Sequence, residues 1–83
     1  MKITVRYFAS IREAIGQGSE PVETNATTLS ALRDELIARG GAHASSLARG
    51  RAVRMALNQT LSDESATLAD GAEVAFFPPV TGG

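Results

Sequence analysis

Few residues in this chain have the types and spacing that chemistry needs. There is one histidine, His43, and no cysteine, so disulfides, thiolate metal sites and cysteine nucleophiles are excluded together. A single imidazole with no partner to orient it reads as a surface residue. The neighbouring carboxylates Asp34 and Glu35 fall on a predicted helix, and Asp63 and Glu64 in a predicted loop, where such groups stay solvated. "GQG" at Gly16–Gly18 is too short for a dinucleotide fingerprint. "NAT" and "NQT" match the glycosylation triplet, but the alternating start "MKITVRYF" is not expected to act as a secretory leader. No nucleophile, base and orienting group can be assembled, so the chain is not expected to be an enzyme by itself.

What remains is the end, "FFPPVTGG". Pro78 and Pro79 fix φ, and Pro78 biases Phe77 towards extended backbone. The six residues from Pro78 through Val80 and Thr81 to Gly83 can reach roughly 20 Å at about 3.3–3.6 Å each. Gly82 and Gly83 carry no β-carbon, so a narrow channel in a partner could admit them down to the terminal carboxylate. A free carboxylate is a poor electrophile. Once adenylated it has AMP as a good leaving group. A sulfur donor attacking it gives a thiocarboxylate; a lysine amine gives an isopeptide bond.

The rest of the chain must hold that arm. Eighty-three residues make one domain, and a chain of this size buries only about 60% of its unfolded surface. Of the 43% apolar residues, 14 are alanine, so the core of large side chains is thin. No deep pocket and no bound cofactor are expected; function should sit on a surface or at an end. A net charge of −1 with scattered arginines gives no nucleic-acid face. No apolar run approaches membrane-spanning length, so no membrane partner is expected and the cytoplasm is the expected location.

The pattern predicts the elements. "KITVRYF" places Ile3, Val5 and Tyr7 on one strand face and Lys2, Thr4, Arg6 and Phe8 on the other. Ser10 and Glu13 have capping-box spacing for a short helix closed by Gly16 and Gly18. "EPVET" reads as an edge-tolerant strand paired with the first. "TTLSALRDELIARGG" reads as the main helix, capped by Thr28, with an apolar stripe of Leu29, Leu32, Leu36 and Ile37. Glu35 and Arg39 form an i, i+4 pair, and Gly40 and Gly41 end the helix. The piece from His43 to Gly50 is ambiguous, readable as one helical turn. "AVRMALN" alternates as a third strand, and Glu73–Phe77 follows the Asp70–Gly71 turn as the last. The order β, short α, β, α, β, β predicts an α+β chain: a ubiquitin-like β-grasp, with a mixed sheet and one main amphipathic helix on one face. Residues 1–77 form the domain and 78–83 an extended tail.

Phe8 and Phe77 break the alternation by sharing parity with polar or small residues. Either the strand ends twist and tuck both rings in, or the rings form an exposed patch beside the tail. Leu61, in an expected loop after "NQT", could join that patch.

In "VRYFASIREAIG", "ALNQTL" and above all "LADGAEVAFFPPVTGG", the chain resembles the small, sulfur-carrier subunits of molybdopterin synthase over nearly its whole length. The resemblance implies that an ATP-dependent enzyme, related to ubiquitin-activating enzymes, adenylates Gly83. A sulfur donor protein then converts it to a thiocarboxylate. The tail would insert into the large synthase subunit, where cyclic pyranopterin monophosphate binds and two carriers in turn supply the dithiolene sulfurs. It also implies a heterotetramer with Phe8, Leu61 and Phe77 at the subunit contact. Sulfur carriage for thiazole or tRNA thiolation, and protein modification in the manner of ubiquitin, are the other functions compatible with such an ending.

Overall fold

A computed structural model describes residues 1–79. The first strand, β1 (Lys2–Tyr7), shows strict alternation, with Ile3, Val5 and Tyr7 buried. It pairs antiparallel with β2 (Ser19–Glu23), where Pro21 lies opposite Thr4. β2 is the sheet edge, so the missing proline N–H leaves no ladder bond unmade. On its other side β1 runs parallel to β5 (Glu73–Phe77), which pairs antiparallel with β3 (Arg54–Leu57).

A strand that the sequence did not announce completes the sheet. β4 (Thr60–Ser62) pairs with β3 and carries Leu61, which therefore sits on a strand and not in a loop. Asn58 (φ 50°) and Gln59 (φ 69°) make the two-residue connection with both backbones left-handed. Such a turn matches the twist of paired strands. Glutamine is an uncommon occupant, and three residues are too few for alternation to register.

Three helices cover one face. The first, α1 (Ala9–Ile15), starts from Phe8 in extended backbone with no side-chain cap, so the Ser10–Glu13 capping box does not form. The strand runs straight into the helix, which leaves Ser10 inside it instead of at its cap. Gly16, at φ 89°, closes it by donating to the Arg12 carbonyl at 2.8 Å. In α2 (Leu29–Ile37), Thr28 Oγ1 accepts from the Ala31 N–H at 3.2 Å, and Leu29, Leu32 and Leu36 are buried with Ile37 beside them.

The expected Glu35–Arg39 pair is absent. The helix ends at Ile37, so Arg39 leaves the i, i+4 row; it binds Glu20 at 2.7 Å, while Glu35 accepts from the Thr24 hydroxyl. The ambiguous stretch is a second covering helix, α3 (Gly41–Leu47), entered through Gly40 at φ 77°. The glycines that end α2 thus launch α3. "GAHASSL" has no apolar stripe, and its anchor is remote in sequence. Arg33 on α2, 4% exposed, donates from Nε to the Leu47 carbonyl at 2.7 Å and from Nη2 to those of Ala48 and Arg51 at 2.8 and 3.3 Å.

All three helices meet the inward sheet face in one core: Ile11, Leu29, Leu32, Leu36 and Leu47 against Ile3, Val5, Tyr7, Val22, Met55, Val74 and Phe76. The strand order β2-β1-β5-β3-β4, with its parallel centre and helical cover, is the β-grasp arrangement.

Candidate docking face and tail root

Burying Ile3, Val5, Tyr7, Val74 and Phe76 turns their strand neighbours outward. Registration sets Leu61, Ala56, Ala75 and Arg6 in one row across four strands, with Phe77 opposite Arg54 in the next. Leu61 is 63% exposed and Phe8, just past β1, is 38% exposed; these are the exposed large apolar residues among those described. Phe77 is half-buried. Phe8, Phe77, Ala56, Ala75, Arg6 and Glu73, with Gln59, line one shallow depression of about 240 Å³. Its floor is alanine, so the larger side chains stand as a rim. The patch that parity suggested is thus on one face, although Phe8 lies at the α1 start and not within a strand.

Arg6 is the residue the sequence reading left out. Its guanidinium carbon lies 5.2 Å from the Phe8 ring centroid, and Nη1 is 3.8 Å from the Glu73 carboxylate. A cation over a ring face holds the ring in one orientation. The signal was present, since Arg6 shares parity with Phe8, but alternation says nothing of stacking.

The tail leaves this face at its edge. The Phe8 N–H donates to the Phe76 carbonyl at 3.1 Å, which joins the α1 start to the end of β5. Pro78 and Pro79 are half-buried. Pro78 lines a groove of about 230 Å³ with Ser10, Ile11, Ala14, Ser46, Arg51 and Ala52. Val80, Thr81, Gly82 and Gly83 lie outside the described residues. No cluster of potential metal ligands occurs among the described residues.

His43 is not a solitary surface residue. Its Nε2 lies 3.0 Å from Glu20 Oε2, the Tyr7 hydroxyl donates to the same carboxylate at 2.6 Å, and the Tyr7 and His43 rings meet edge to face at 5.8 Å. Arg39 holds the other carboxylate oxygen. Burial alone would raise the Glu20 pKa, but hydrogen bonds from Tyr7, Arg39 and His43 outweigh it and pull the pKa down to about 2. Burial, reinforced by the Glu20 bond and charge, pushes the Tyr7 hydroxyl well above its ordinary range. The group latches β1, β2 and α3 to the segment that follows α2, with both Glu20 carboxylate oxygens engaged.

Fold and face together describe a ubiquitin-like β-grasp domain that presents an apolar sheet surface beside the root of its C-terminal segment. Residues 5–83 match the ThiS family, and the chain belongs to that family. It is 43% identical over 81 residues to the "Molybdopterin synthase sulfur carrier subunit" of Escherichia coli, covering 98% of this chain and 99% of that one. Among solved structures, it is similar to a chain in the protein-protein complex of subunits 1 and 2 of the molybdopterin-converting factor from Helicobacter pylori. That match has TM-score 0.70 and 28% identity, with both chains fully covered. SAMP1 from Haloferax volcanii shares the fold at TM-score 0.77 and 24% identity, again over both whole chains.

Proposed function

We propose that this chain is the sulfur-carrier subunit of a molybdopterin synthase, with sulfur carried as a thiocarboxylate on Gly83. The observation that carries the reading is the position of the apolar face: Phe8 and Phe77 flank the point where the tail departs at Pro78. A partner that covers this face receives the tail at its own surface. The full-length likeness to sulfur-carrier subunits, and to a chain seen in a two-subunit complex, supports the large synthase subunit as that partner.

The chemistry runs in two steps. The Gly83 carboxylate attacks the α-phosphorus of ATP on a ubiquitin-activating-like enzyme, pyrophosphate leaves, and an acyl adenylate forms. The outer sulfur of a donor protein's persulfide then attacks the acyl carbon and AMP departs. A second thiol attacks the donor's inner sulfur, the S–S bond breaks, and the thiocarboxylate leaves, with a disulfide formed on the donor. ATP is used by the activating enzyme and is not held by this chain. The thiocarboxylate reaches cyclic pyranopterin monophosphate inside the large subunit, which supplies the active site. Phe8, Leu61 and Phe77 make the subunit contact; Pro78 and Pro79 start the arm, and Val80, Thr81 and Gly82 carry it inward.

Intact-mass measurement after incubation with ATP, activating enzyme and sulfur donor tests the reading. One oxygen replaced by one sulfur at Gly83, followed by pterin conversion with the large subunit, is expected. A chain lacking Gly83, or extended beyond it, should transfer no sulfur while melting normally. Normal transfer by the extended chain overturns the mechanism. Sulfur on Gly83 without pterin conversion would point to thiazole or tRNA thiolation, and Gly83 found on lysines of other proteins to a modifier.

A further inference from the structure

An activated acyl group reacts with any amine that reaches it, and this chain has only two kinds of amine to offer. Lys2 is its single lysine; the other is the Met1 amino group. The parallel pairing of β1 with β5 puts both at the far end of the sheet from the tail. Thr4 is level with Glu73, so Lys2 lies two residues below that level and Phe77 four above it. Six residues of strand at about 3.3 Å separate the two, about 20 Å in all. The Met1 amine is further occupied: it donates to the Thr24 carbonyl at 2.9 Å and lies 4.0 Å from the Glu23 carboxylate.

The tail spans roughly the same 20 Å when fully stretched. To bring Gly83 to Lys2 it would have to reverse at Pro78–Pro79 and run back almost fully extended, with only the length of the lysine side chain to spare. A linker that can only just span its sites gives a very low effective concentration. The tail root, in contrast, is ringed by cations of another kind. Arg54 sits opposite Phe77, Arg51 lines the groove with Pro78, and Arg6 lies beside Phe8. A guanidinium stays protonated at all ordinary pH values and is no nucleophile.

We propose that this arrangement protects the activated end: the fold keeps the chain's own amines out of reach of the Gly83 acyl group and surrounds its root with arginine. The inference rests on the reading that Gly83 is activated. The reaction avoided is a dead end: an amine nitrogen attacks the acyl carbon, a C–N bond forms and the C–O bond to AMP breaks. AMP leaves, and the amine gives its proton to water. The isopeptide that results accepts no sulfur.

The test installs the activated end chemically, as a thioester on Gly83 of the full chain. Four proteins are compared: the unaltered chain, Arg54→Lys, Arg51→Lys, and Glu23→Lys, which adds the same amine at the far end, opposite Lys2. Arg51→Lys serves as a second near-end variant. Ring closure is read as loss of the thiol by intact mass, at a rate independent of protein concentration, with the new bond mapped by peptide analysis. The near-end variants should close at least about tenfold faster than the unaltered chain, through position 54 or 51, because those positions lie well within the arm's length of its root. Glu23→Lys should match the unaltered chain. Near-end variants no faster than the unaltered chain overturn the inference, as does closure of Glu23→Lys at the Arg54→Lys rate. So does closure of the unaltered chain onto Lys2 or Met1 at that rate. The thioester bypasses adenylation, so this result stands apart from the ATP-dependent sulfur test, in which the sulfur-carrier reading itself would fail.

Discussion

The Tyr7 hydroxyl donates to Glu20 Oε2 at 2.6 Å, from the central pair of strands to the edge strand, under the cover of α3. Glu20 faces the helices beside Val5, its cross-strand partner. It is an acid on the core side of the sheet, held as an anion by three donors.

That anion makes the fold acid-sensitive. The Glu20 pKa lies below its ordinary 4.5, at about 2, so the folded state favours the charged form. Its contribution is complete above about pH 4.5 and is lost as pH falls towards 2. With the carboxylate only slightly exposed, the loss is on the order of 2–3 kcal/mol. Urea melts from neutral pH to pH 2 should show this decline, and Glu20→Gln should start less stable and decline less. Parallel pH profiles for the two proteins would contradict it.

Tyr7 works in the opposite direction. Its pKa is raised, first by burial and then by the bond to Glu20, so its contribution is full below the ordinary value of 10 and is lost as pH climbs above it. It is the only tyrosine, and there is no tryptophan. Near-ultraviolet absorbance therefore reports this one hydroxyl. Tyrosinate should appear together with alkaline unfolding and not before; an earlier titration with the fold intact would show an open latch.

The two adjacent phenylalanines should separate folding from docking. Phe76, fully buried, should cost about 3–5 kcal/mol of stability when cut to alanine. Phe77→Ala and Phe8→Ala should leave the melt nearly unchanged and weaken large-subunit binding by more than about 1–2 kcal/mol. Binding by calorimetry beside thermal melts distinguishes them, and unchanged affinity in both outer variants would exclude this face as the contact.

Arg33 should control α3 alone. Replacing it with methionine leaves the Leu47, Ala48 and Arg51 carbonyls without their donor, at a cost of about 1–3 kcal/mol. Hydrogen exchange should quicken in residues 41–47 and stay slow in β1 and β5. Uniform loss of protection would mean that α3 and the sheet open as one unit.

Where a residue's partner is its neighbour in the pattern, the sequence was readable. The stripe Ile3, Val5, Tyr7, the cap at Thr28 and the leucines of α2 needed only alternation and helical spacing, and they are buried or bonded as expected. Where the partner is distant, it was not. His43 looked idle because Glu20 and Tyr7 stand 23 and 36 positions before it. Arg39 exchanged Glu35 for Glu20, a choice that exists only once β2 and α2 are packed. α3 is held by Arg33 from another helix, and β4 by a turn whose backbone its residues do not advertise. The outward face was legible as parity, while the stacking of Arg6 on Phe8 required coordinates.

The parallel pairing that carries Lys2 away from Pro78 also gives the protein a handle. Amine-reactive coupling to a sensor chip, or to a dye, modifies only Lys2 and the chain's amino end. Every immobilised molecule is then tethered from the same pole, with the root of the tail directed into solution and no engineered tag. Partner binding measured on such a surface would come from one uniformly oriented population.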